Sequence, residues 1–134
     1  MKDPLEDSHT APKFAAPHPG TAADWYETYL GFRKSVFMEG DYAIVGRGKL
    51  VIHLWKCPDR TIAENTSCYT EIATVEGLNA LHAEWLANYG EDGFAPGRIE
   101  AECKDQHGHG MREFHVWDPA GNLIGFGANI EQKG

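Results

Sequence analysis

The sequence predicts an α+β fold built from two copies of a βαβββ module, and three observations carry that prediction. Strand-like and helix-like periodicities alternate in the order β-α-β-β-β, and that order runs twice. The hairpin "YAIVGRGKLVI" (42–52) and the hairpin "FHVWDPAGNLI" (114–124) share one apolar-turn-apolar pattern, with Ile52 falling on Ile124. A length of 134 residues suits one domain with its own core.

The elements follow in order. Residues 1–11 are polar and read as a loose arm. "KFAAP" (13–17) is a short strand, ended by Pro17 and Pro19. In "GTAADWYETYLGF" (20–32), Thr21 and Asp24 have the spacing of a capping box, and Ala22, Tyr26, Tyr29 and Leu30 share a helical face. Gly31 stands where a glycine closes a helix. "KSVFMEGDYAIVGRGKLVIHLWK" (34–56) divides into three strands, with turns at Gly40-Asp41 and at Gly46-Arg47-Gly48. A loop is expected over 58–66, followed by the strand "SCYTEIAT". The next helix, "VEGLNALHAEWLANYG", has Leu78, Leu81 and Trp85 on one face. A Gly- and Pro-bearing loop (90–98) then leads to the strands "IEAECKD", "REFHVWD" and "LIGFGANI". Strand and helix phase place Phe14, Trp25, Tyr26, Phe32, Trp85 and Phe114 in the core.

Composition narrows the function. Net charge is −8, from 12 basic and 20 acidic residues, which disfavours nucleic acid and favours neutral or cationic partners. No apolar run approaches the roughly 20 residues of a membrane span. The opening "MKDPLEDSHT" lacks the apolar stretch of a signal peptide, so a cytoplasmic protein is expected. Cys57, Cys68 and Cys103 form no CxxC pair and read as small buried residues in a reducing compartment. No G-x-S-x-G elbow surrounds Ser67 or any other serine, and no helix start follows Gly46-x-Gly48 to cradle a phosphate.

The densest cluster of ligand-type side chains is "QHGHGMREFHVWDPAGN" (106–122), with His107, His109 and His115. If 111–117 is a strand, His115 shares a polar face with Glu113 and Trp117, opposite Phe114 and Val116. Arg112 and Glu113 then fall on opposite faces. His107 and His109 alternate with glycines, whose flexible backbone preorganises no metal.

Taken with "WYETYLGF" (25–32) and "NTSCYTEIATVEGLNALHAEW" (65–85), the "MREFHVWDPAGNLIGF" block (111–126) resembles the vicinal oxygen chelate superfamily. That superfamily includes glyoxalase I, extradiol dioxygenases, fosfomycin-resistance enzymes and bleomycin-resistance proteins. The resemblance covers about residues 12–130 and is strongest to the bleomycin-resistance proteins. It implies a single domain over 12–130, with modules at about 12–57 and 67–130 forming a cup-like open sheet. It also implies a homodimer whose N-terminal arm is exchanged about Pro12.

Enzymes of the superfamily hold a divalent metal through His and Glu on the first and last strands of each module. Matched to this sequence, those positions fall near Ala11, His53, Thr70 and Gly125, which is too few ligands for a Lewis-acid centre. No cofactor is expected. The alternative, a metal-dependent glyoxalase- or dioxygenase-type enzyme, would need His53 with His9 or His107. The expected function is therefore non-catalytic: sequestration of a bleomycin-type glycopeptide or another flat cationic compound. Rings able to stack on it are Phe37, Tyr42, Trp55 and Tyr69, and Glu39 and Asp41 beside Tyr42 would draw its cationic tail. In the resistance proteins the loop before "REF" typically reads "PWG" and its tryptophan stacks on the drug. His109, or His107, takes that place here, with Met111 grouped beside it.

Overall fold

The computed structural model describes residues 2–38, 40–90 and 96–130. The arm contains one 3₁₀ turn, Pro4–Asp7, that buries no residue and leaves Leu5 75% exposed. Strand β1 (Lys13–Ala16) follows, then helix α1 (Pro19–Leu30). The helix starts before the predicted Thr21 cap. Pro19 lies in its first turn, where a fixed φ suits the helix and the missing N–H costs nothing, and His18 occupies the N-cap without a side-chain bond. Gly31 closes the helix at φ 70°, its N–H donating to the Tyr26 carbonyl.

Strands β2 (Arg33–Met38), β3 (Tyr42–Arg47) and β4 (Leu50–Lys56) complete a four-stranded sheet in the order β1-β4-β3-β2. β1 runs parallel to β4 and the other pairs are antiparallel. Gly46 and Arg47 belong to β3, so the second turn is Gly48-Lys49, tighter than predicted, with Gly48 at φ 57°. A two-residue hairpin needs that left-handed backbone. The segment expected to be a loop contains a short helix, α2 (Arg60–Glu64). Asp59 caps it by accepting the Thr61 N–H at 2.9 Å.

β5 (Ser67–Glu71) and α3 (Val75–Gly90) precede β6 (Arg98–Ile99), β7 (Lys104–Gln106), β8 (Met111–Trp117) and β9 (Leu123–Asn129). The second sheet has the order β5-β9-β8-β6, with β7 also on β8. "IEAECKD" is thus two pieces and not one strand. The Glu100 N–H still bonds the His115 carbonyl at 2.9 Å; Ala101 and Glu102 then turn out into solvent, and β7 resumes on the far end of β8. β5 is parallel to β9, as β1 is to β4. Ile52 pairs with Val45 and Ile124 with Val116, and all four are fully buried.

One core joins both halves. Phe14, Tyr26, Leu30 and Ile52 meet Leu78, Trp85, Phe114 and Phe126, each 1% exposed or less. The six aromatics assigned to the core by phase are all buried. Trp85 stands edge-on to Phe114 and Phe126 at 5.8 and 5.0 Å, and its Nε1 donates to the Leu30 carbonyl at 3.0 Å. With a second bond from Arg47 Nη1 at 2.8 Å, it satisfies a carbonyl that the end of α1 leaves without an intrahelical donor.

The "DPAGN" turn makes a second link. Asp118 Oδ1 accepts the N–H groups of Ala120, Gly121 and Asn122, while Oδ2 accepts the Tyr26 hydroxyl at 2.9 Å. Asn122 Nδ2 donates to the Ala15 carbonyl at 2.9 Å, so the turn is tied to both β1 and α1. Burial pushes the Asp118 carboxyl up, against the hydrogen bonds from Asn122 and Tyr26 that favour its charge.

Candidate ligand-binding faces

Strand alternation decides which side chains can meet a ligand. In the first sheet Phe14, Ala43, Val45, Ile52 and Leu54 face the core, so Tyr42, Ile44, Val51, His53 and Trp55 face outward. Tyr42 is registered with Trp55 and Ile44 with His53. The Tyr42 hydroxyl shares a hydrogen bond with His53 Nδ1, and the two rings meet edge-on at 5.7 Å. Trp55 packs at one end against Ala15, Cys57, Ala63 and Ala120. Asp41 is exposed in the turn beside Tyr42; Glu39 lies outside the described residues.

Phe37 does not join this face. A bulge between Lys34 and Val36 shifts the register of β2, so Phe37 pairs with the core-facing Ala43 and turns toward α1. A Cβ on Gly20 would lie 2.8 Å from its ring, and the Lys34 ammonium stands 5.0 Å from its centroid. Val36 and Met38 take the outward places instead, at 41% and 59% exposure.

In the second sheet Phe114, Val116, Ile124 and Phe126 face the core, which leaves Tyr69, Met111, Glu113, His115 and Trp117 outward. The polar groups here are paired. Tyr69 donates to Glu113 Oε2 at 2.7 Å, and His109 Nε2 lies 3.3 Å from Oε1 of the same carboxylate. His115 Nδ1 lies 3.1 Å from Glu100 Oε1, so this histidine is half-buried and bonded, not merely solvated. The Arg98 guanidinium covers the Trp117 ring at 4.2 Å. Burial, then donation to Glu113, holds the Tyr69 hydroxyl protonated far above the ordinary tyrosine range. His107 and His109 are exposed in the turn between β7 and β8. Arg112, on the opposite side from Glu113, bonds Asp105 and Asn79.

The candidates therefore fall into two groups: Tyr42, Trp55 and Asp41 on the first sheet, and Tyr69, Met111 and His109 on or beside the second. Both outward faces turn away from the shared core, so one chain does not bring the groups together. Two open grooves of about 480 and 470 Å³ lie instead along the seam between the halves. The first has an apolar floor of Phe32, Leu50, Ile72, Leu81 and Trp85. Tyr69 and Pro12 line the second, with Lys49 and Glu71.

The metal-ligand positions shift once register is known. Beside His53 stands Lys13, and beside Gly125 stands Tyr69; Thr70 lies on the other side of its strand. Lys13 and Gly125 are not among the Cys, His, Asp and Glu side chains that hold such a metal, and the Tyr69 hydroxyl is held by Glu113. This donor set does not fit a divalent metal. Among the described residues no three His, Cys, Asp or Glu side chains come together as such a centre requires. Burial pushes the Cys68 thiol up to about 11 and also raises Cys103, so neither of these two is an activated nucleophile.

Sequence reasoning missed His82, buried on α3, whose ring nitrogen bonds the Glu100 carbonyl at 2.7 Å. It also missed the Glu113 pairings. The glycines alternating in "LIGFGAN" were the available signal, since glycine inside a strand marks a close approach.

No protein-family model matches the chain, and no curated protein matches it in sequence. Solved structures do. The chain superposes on a bleomycin-binding protein from the bleomycin-producing Streptomyces verticillus, complexed with copper(II)-bleomycin, at a TM-score of 0.74 and 28% identity. That match covers 91% of this chain and 96% of the other. A bleomycin resistance determinant encoded on the transposon Tn5 matches at 0.67 and 24% identity, over 91% of this chain and 98% of the other. A lactoylglutathione lyase from Agrobacterium tumefaciens matches at 0.62 and 14%, over 90% and 93%. The two sheets and three helices thus have the fold seen in bleomycin-binding and glyoxalase/bleomycin resistance/dioxygenase structures. At 28% identity over nearly the whole of both chains, the likeness to the Streptomyces verticillus bleomycin-binding protein extends to sequence as well as fold.

Proposed function

We propose that this is a non-catalytic resistance protein that sequesters a bleomycin-type glycopeptide, or a similar flat cationic compound, in the cytoplasm. The observation that carries this reading is the end-to-end likeness to a structure complexed with copper(II)-bleomycin. The residues agree with it. Each outward face offers half-buried rings suited to offset stacking, and the donor set at the superfamily's metal positions supports no Lewis-acid step. Sequestration needs only affinity and enough protein to outnumber the drug.

A homodimer completes the picture. Because the faces of one chain point apart, a second copy is what would set the first sheet of one chain opposite the second sheet of the other. Residues 2–10 are exposed along their whole length, as an arm awaiting a partner would be, and Pro12 stands at its base. Replacing Pro12 with alanine is expected to weaken the dimer in sedimentation, and unchanged sedimentation overturns arm exchange.

The direct test is titration with metal-free bleomycin, followed by tryptophan fluorescence and calorimetry. Saturation near one drug per chain, with micromolar or tighter affinity, is the expected result. Absence of saturable binding overturns the proposed ligand.

A further inference from the structure

The surroundings of Tyr69 set it apart from the other candidate rings. β9 carries glycines at two alternate outward positions, Gly125 and Gly127. A Cβ on Gly127 would lie 1.7 Å from the Tyr69 hydroxyl oxygen and 2.8 Å from Cζ; one on Gly125 would lie 3.0 Å from Cδ1. Neither glycine has a positive φ, so the backbone does not demand them and the ring does. The phenol lies down along β9, from β5 toward β8, in space that any larger residue would fill. Its hydroxyl is then fastened to Glu113, whose side chain is only 12% exposed.

Despite these contacts Tyr69 remains 50% exposed. One side of the ring rests on backbone and the other is open. An exposed tyrosine ordinarily exchanges rotamers and loses that freedom when something stacks on it. This one is already fixed.

We propose that Tyr69 is a preorganised stacking platform for a flat cationic aromatic ring, and that Gly125, Gly127 and Glu113 are the positioning residues that hold it flat. The proposal rests on the small-molecule-binding reading above and specifies one contact surface within it. The preference for a cation comes from the carboxylates. Glu113 lies at the hydroxyl end of the ring, and Glu71 stands two residues along the same strand face. Tyr69 and Glu71 also line the groove of about 470 Å³, which gives a ligand room to approach; Lys49 shares that lining.

The test uses two probes, 9-aminoacridine as a simple flat cation and metal-free bleomycin, on the full chain. Tyr69→Ala is expected to weaken 9-aminoacridine by about fivefold to tenfold. Gly127→Ala should weaken it as much, because the added methyl evicts the ring. The double variant, in which that methyl no longer meets the ring and presses only on Glu113 Cγ at 3.3 Å, should bind like Tyr69→Ala alone. Such non-additivity is not what a merely structural glycine would give. Unchanged affinity in Tyr69→Ala, additive losses in the double variant, or a wild-type chain that binds neither probe each overturn the platform. The two readings separate cleanly. Loss of 9-aminoacridine in Tyr69→Ala, in a chain that never bound bleomycin, retains the platform and removes the drug. Full bleomycin affinity in Tyr69→Ala retains the drug and removes the platform.

Discussion

The two sheets share a strand order and a core, yet their outward faces are furnished differently. Val36, Met38, Tyr42, Ile44, Val51 and Trp55 make the first face largely apolar, with Tyr42 and His53 hydrogen-bonded to each other. The second carries paired polar groups: Tyr69 and His109 on Glu113, His115 with Glu100, and Arg98 over Trp117. The inward faces, by contrast, are alike. Topology is held by the inward residues, and the outward ones are free to diverge into a site. A compound held between two such faces would meet an apolar wall on one side and a carboxylate-bearing wall on the other.

The largest effect is expected where the halves are tied together. Asp118→Ala strands the Tyr26 hydroxyl and the buried N–H groups of Ala120 and Asn122, while the Gly121 N–H keeps the residue 118 carbonyl, and should cost about 3–5 kcal/mol in urea unfolding. A loss under about 1 kcal/mol would break the claim that the turn links the halves. Next come the faces themselves. Trp55→Ala and Tyr42→Ala should each weaken bleomycin binding by at least about 1 kcal/mol in calorimetry. Wild-type affinity in both would confine the ligand to the second face.

The smallest effect lies at the rim between the halves. Arg47 bonds Glu84 through both terminal nitrogens, at 2.6 and 3.0 Å, on half-exposed side chains. Glu84→Gln should cost only about 0.5 kcal/mol at pH 7. The Arg47 hydrogen bond lowers the Glu84 pKa, so its contribution is present above the ordinary carboxylate value and fades as pH falls through the lowered one. Thermal unfolding of the two proteins should therefore converge in acid. A gap that persists or widens there would assign the effect to another group.

Strand alternation and helix phase together made the inward face legible in the sequence: the aromatics placed by phase are buried, and Ile52 and Ile124 hold matching positions. The outward face was less so. Phe37 was misplaced because one bulge residue reverses parity, and nothing in "RKSVFM" announces it. Tyr69 and Glu113 lie 44 residues apart, and Asn122 reaches Ala15 across 107, so those bonds exist only once the chain is folded. Capping failed at Thr21 for a local reason: a proline two residues earlier already starts the helix.

The indole of Trp85, bonded to the last turn of α1 and packed edge-on against the stacked rings of Phe114 and Phe126, also fixes how the chain comes apart. No line of cleavage separates the halves without opening that joint. The protein should melt as one cooperative unit, with calorimetric and van't Hoff enthalpies in agreement. The slowest-exchanging amides of β3 and β8, at Val45 and Val116, should report one common opening free energy.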